Sequence, residues 1–155
     1  MQAVLRFVLF YHSVSECSRY TILEDRNRGM ISNQSKPAQC DKTLTPGWYR
    51  FRGEAGNEMP TSCVNVNHCG THAPGWMNGT HPTVTAGATT VQVCFHWAKD
   101  CCRWSVNIRV RNCSGFYVYE LKKPPVCRLR YCGNGGKPGI AYCLFSGELV
   151  LSIEK

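Results

Sequence analysis

The chain has 155 residues, a formal net charge of +8 and eleven cysteines. That length suits one domain with its own hydrophobic core. So many thiols point to a disulfide framework assembled outside the cell, not to an ordinary cytosolic enzyme, and no run of 18 apolar residues offers a membrane-spanning helix.

In chain order, residues 1–16 (MQAVLRFVLFYHSVSE) read as a leader or chain edge. Their apolar stretch from Ala3 to Tyr11, followed by small residues at Ser13 and Ser15, resembles a short signal peptide. The domain proper is expected over 17–132. Thr21 to Arg26 suits one short helix. Gly47 to Phe51 and Val91 to Trp97 are strand candidates. Ser105 to Arg111 alternates cleanly, with Val106, Ile108 and Val110 on one face and Asn107, Arg109 and Arg111 on the other, the pattern of a half-buried strand. Ser114-Gly115 suits a hairpin turn into a second strand, FYVYEL, which Pro124-Pro125 ends because proline cannot supply a ladder N–H. The Gly-rich run GNGGKPG (133–139) reads as a flexible linker. The tail through residue 155 holds one short strand-like run, LVLSI, and suits the start of a truncated next module. The fold class expected is mainly β and disulfide-rich: a small antiparallel domain with long loops and little helix.

Ten cysteines make up the framework: Cys17, Cys40, Cys63, Cys69, Cys94, Cys101, Cys102, Cys113, Cys127 and Cys132. Cys143, beyond the Gly-rich run, is the one expected to be unpaired or intermolecular. Neighbouring residues of a strand point their Cβ atoms to opposite sides. Cys101 and Cys102 are therefore expected to bridge to two different partners and not to each other. The pairing itself stays open, since ten cysteines allow more than the 105 arrangements available to eight.

Other chemistry has weaker support. The five histidines and the cysteines show no paired zinc spacing; His68 beside Cys69 comes nearest. No nucleophile elbow, zinc-protease helix motif or phosphate-binding loop occurs. The expectation is no catalytic residue, no metal and no cofactor. Three tripeptides fit the N-glycosylation pattern, at Asn33, Asn78 and Asn112. Asn78 is the strongest, having Thr at the third position within the turn-rich WMNGTHP. Asn112 precedes a cysteine expected to be bridged. The charge is uneven: residues 101–155 carry nine Lys/Arg against three Glu. A cationic face built from Arg103, Arg109, Arg111, Lys122, Lys123, Arg128 and Arg130 could attract polyanions such as sulfated glycans. Clustered aromatics (Trp48, Tyr49 and Phe51; Phe95, Trp97 and Trp104) read chiefly as core material around the disulfides.

Four stretches together resemble a known module. CDKTLTPGWYRFRGEAGNEMPTSCV, CGTHAPGWMNGTHP, CFHWAKDCCRW and NCSGFYVYELKKPPVCRLRYC are similar, in order, to the eight- or ten-cysteine domain of the uromodulin and pancreatic zymogen-granule glycoprotein family. The resemblance implies a secreted, disulfide-braced, non-enzymatic module of a larger mosaic protein, concerned with adhesion and innate immunity. It further implies that the module presents N-glycans to bacterial adhesins. Asn78 falls on a sequon position of the family. A second family sequon, just before the Pro-Pro, is replaced here by Glu120-Leu121-Lys122. Expected partners are extracellular proteins or glycans, with no nucleic acid. The alternative is a cationic polyanion-binding or antimicrobial defence protein.

Overall fold

The computed structural model describes residues 15–135, together with the backbone of two short strands, Cys143–Phe145 and Glu148–Val150, which form an antiparallel hairpin of their own. Within 15–135 the chain forms one seven-stranded sheet. Its strands are β1 (Thr21–Leu23), β2 (Gly47–Phe51), β3 (Ala73–Asn78), β4 (Ala88–Trp97), β5 (Asp100–Asn112), β6 (Tyr117–Leu121) and β7 (Leu129–Tyr131), in the order β1-β2-β6-β5-β4-β3-β7. The central pairs are antiparallel, as expected. The two outermost pairs, β1–β2 and β3–β7, are parallel. Parallel neighbours need a crossover of a dozen or more residues; the long loop between β1 and β2 supplies it for the first pair, and the chain through β4, β5 and β6 supplies it for the second.

The long β4–β5 hairpin comes from its composition. Thr89, Val91 and Val93 face Val110, Ile108 and Val106 in register, and every one of them is β-branched. Alternation then sorts the faces. One face carries Leu23, Tyr49, Phe51, Tyr119, Leu121, Ile108, Val110, Val93, Phe95, Met77, Leu129 and Tyr131. All are buried, and Ala55 and Met59 of the loop after β2 join them in the main core. Gly75 makes room for that packing, because a Cβ there would come within 2.7 Å of the Phe95 ring. The other face is covered toward β3 and β7, where Val64, Cys69, Trp76, Cys94 and Cys132 form a second buried cluster, and again at Val118 of β6, which is fully buried opposite Arg111. Between these two patches it stays open, with Arg109, Asn107, Thr90 and Gln92 exposed and Trp48 and Glu120 half-buried.

Two expectations are corrected. Thr21 to Arg26 is not a helix: Thr21–Leu23 is the edge strand β1, and a single 3-10 turn follows at Arg26–Arg28. Pairing with Tyr49 to Phe51 lets Leu23 reach the core, which outweighs local helix preference. The Gly-rich run does not begin as a linker either. Gly133 bridges Gly29, Gly133 and Gly135 are buried, and the Gly135 N–H donates to the Ala55 carbonyl at 3.0 Å. A Cβ on Gly133 would run into that same carbonyl oxygen. Here glycine serves close backbone approach rather than flexibility. Residues 136–142 and the tail tip, and most of the leader stretch 1–16, lie outside the described residues.

Candidate functional site

Five disulfides brace the described domain: Cys17–Cys113, Cys40–Cys127, Cys63–Cys101, Cys69–Cys132 and Cys94–Cys102. The adjacent pair diverges: Cys101 reaches the loop after β2, and Cys102 reaches across the hairpin to β4. The Cys143 side chain lies outside the described residues. Among the described residues, the one His/Cys trio close enough to share a metal is Cys63, His96 and Cys101. Its two sulfurs are bonded to each other, so neither is a thiolate ligand.

The seven cations expected on a polyanion-binding face differ in how free they are. Arg130 is buried, 6% exposed, and points inward. Its Nη1 donates to Asn27 Oδ1 at 2.9 Å and its Nη2 to Asp25 Oδ2 at 3.1 Å. Beside it, Arg28 holds Asp41 by two bonds of 2.7 and 2.8 Å, with both side chains almost fully buried. Burial works against the Arg28 charge, but Asp41 and Asp25 hold its pKa above the ordinary value. Burial, and then the like charge of Arg28, push Arg130 down to about 10. Arg109 is locked to Glu120 by bonds of 2.7 and 2.8 Å, which hold the Glu120 carboxyl below its usual range. Arg111 is bound to Glu16 at 2.6 Å, with the same effect on that carboxyl. Lys122 donates to the Asn107 carbonyl at 2.7 Å. Arg103, Lys122, Lys123 and Arg128 remain exposed, with no carboxylate partner among the described residues.

The three sequon asparagines differ in access. Asn33 is exposed next to the backbone bridge that joins it to His68. Asn112 is half-buried, its Nδ2 donates to the Pro82 carbonyl at 3.1 Å, and the following Cys113 is in a disulfide. Asn78 ends β3 and is exposed, as are Gly79 and Thr80. Its Nδ2 donates one hydrogen to Gln92 Oε1 at 3.0 Å. Register places Asn78, Gln92 and Asn107 in one row across β3, β4 and β5, on the open face. The neighbouring row is Thr90, Arg109, Glu120 and Trp48, with the Arg109 guanidinium 5.4 Å from the Trp48 ring centre. Glu120, where the resemblance puts the absent second sequon, therefore shares its face with Asn78 and holds an ion pair there.

His81 anchors the segment just past Asn78, a role that sequence reasoning missed. Its Nε2 lies 2.8 Å from the Tyr119 hydroxyl, and its ring centre lies 4.2 Å from that of Tyr117, tilted by 37°. The Tyr119 hydroxyl also accepts the Met59 N–H at 3.0 Å. Burial lowers the His81 pKa, against a smaller raising effect of Glu58. The Tyr119 hydroxyl ties His81 Nε2 to the backbone at Met59.

Comparison with known proteins agrees with this architecture. Residues 49–133 match the family model of the uromodulin-like cysteine-rich domain. The chain is 44% identical over 117 residues to the human pancreatic secretory granule membrane major glycoprotein GP2, covering 75% of this chain and 21% of that protein. It is 42% identical over 121 residues to the dog protein of that name, covering 77% and 23%. It is 49% identical over 94 residues to mouse uromodulin, covering 60% and 14%. The chain thus spans about a fifth of the length of the first of these relatives. Carrying the matched domain over more than half its length, the chain belongs to the uromodulin-like domain family and is an extracellular, disulfide-braced β module.

Proposed function

We propose that this module is a non-enzymatic recognition element that presents an N-linked glycan from Asn78 on the open face of its sheet. The observation that carries the reading is the placement of Asn78. It ends a strand whose preceding five residues are buried, and its own amide stands in solvent with Gly79 and Thr80 exposed behind it. A rigid strand end fixes where the glycan starts, and an exposed Asn-Gly-Thr is open to modification during secretion. The second family position offers no such handle, since it holds Glu120-Leu121-Lys122 and no acceptor asparagine. Presentation by this chain therefore rests on one strong sequon.

The test is secretion from eukaryotic cells followed by capture on a glycan-binding bacterial adhesin. Capture should be lost with Asn78→Gln and retained with Glu120→Ala. Capture that survives complete enzymatic deglycosylation would refute the reading.

A further inference from the structure

Beside Asn78 lies an open groove of about 540 Å³, lined by Asn78 to Thr83, Ala86 and Thr89 to Gln92. Its size falls within the roughly 300–1,000 Å³ of small-molecule sites. Its lining is hydroxyls, amides and small apolar groups, and His81, kept neutral by burial, is its one titratable side chain. A groove without fixed charge suits an uncharged polyhydroxyl ligand better than an anion or a cation. Covalent attachment at the groove's own wall would place such a ligand there at high effective concentration.

We infer that the first sugars of the Asn78 glycan seat in this groove and buttress the loop between β3 and β4; the inference rests on the proposal that Asn78 is glycosylated. Gln92 sets the direction. A glycosylated Asn keeps one hydrogen on Nδ2, and the 3.0 Å bond to Gln92 Oε1 can hold that hydrogen while the sugar takes the other position. The groove offers Thr89, Thr90 and the half-buried Val91 to the proximal N-acetylhexosamines, and Ala86, the last residue of a 3-10 turn, lines it as well. The glycan then has two parts: an inner end held by the protein and an outer end free to meet partners.

The test compares hydrogen exchange in three forms of the secreted chain: fully glycosylated, trimmed to the single protein-linked sugar, and Asn78→Gln. Backbone amides of 83–91 should exchange about fivefold more slowly in the glycosylated form than in Asn78→Gln, with the trimmed form keeping much of that protection. A fourth form, Ala86→Trp, fills the groove; it should carry the same glycan mass yet lose the protection difference. A glycosylated chain that exchanges like Asn78→Gln overturns the groove assignment alone. Intact mass showing no sugar on Asn78 overturns the proposed presentation as well.

Discussion

Losing the Asp41 charge should cost this protein more stability than losing the charge of its partner Arg28. The Asp41 carboxylate, 5% exposed, takes two hydrogen bonds from Arg28 and one of 2.8 Å from the Tyr131 N–H, and it lies 4.0 Å from Arg130 Nε. Removing one member of a buried ion pair costs about 3–5 kcal/mol, because the other charge stays buried without compensation. Two buried guanidiniums would then face each other with only Asp25, itself 59% exposed. Asp41→Asn keeps an oxygen for Tyr131 and belongs at the lower end, near ~3 kcal/mol. Asp41→Ala also strands the Tyr131 N–H and should cost a further ~1–3 kcal/mol. Arg28→Met should be milder than either. Asp41 would keep the Tyr131 N–H and Arg130, and Arg130 would lose the repulsion of its neighbour. The assay is denaturant unfolding of the oxidised protein followed by tryptophan fluorescence. An Asp41→Asn cost under ~1 kcal/mol, or an Arg28→Met cost as large as that of Asp41→Ala, would refute the reasoning.

Acid should loosen the loop after β3. The His81 pKa is depressed in the fold, so its contribution is complete above the ordinary value of about 6.5 and declines as pH falls through it; His81→Gln should flatten the pH dependence of exchange at residues 79–83. Disulfide losses should rank with loop size. Cys17–Cys113 spans 96 residues and Cys94–Cys102 spans 8, which corresponds to about 4.7 against about 2.5 kcal/mol in the chain-entropy account; paired Cys→Ala variants in thermal unfolding check the order. Non-reducing peptide mapping should join the peptides of Cys63, Cys94 and Cys101-Cys102 in one cluster, and a bond between Cys101 and Cys102 would contradict the fold. Retention on heparin should fall with Lys122→Ala/Lys123→Ala and with Arg128→Ala, while Arg109→Ala changes it little because Glu120 already neutralises that charge.

Where residue type alternates, the sequence announced its structure. Gly47–Phe51 was legible to the residue, and Val106, Ile108 and Val110 face inward as their period requires. Asn78 was legible as a strong sequon, but its row with Gln92 and Asn107 depends on a register that no local pattern fixes. Pairings of cysteines between 8 and 96 residues apart are properties of the closed sheet, not of spacing. Arg130 looked like one more surface cation in a basic stretch; only the return of Asp25 and Asn27 beside β7 buries it. Gly133 and Gly135 misled for a related reason, since glycine marks both loose chain and backbone too closely packed for a Cβ.

The disulfide map also says where this module can be cut. Eight cysteines fall within the matched stretch 49–133, but Cys113 and Cys127 pair with Cys17 and Cys40, upstream of it. A piece trimmed to 49–133 would keep three bridges and carry two orphan thiols. In an oxidising compartment those thiols find each other or another molecule. Such a piece is expected to run as mixed disulfide-linked oligomers, whereas one beginning before Cys17 closes on itself.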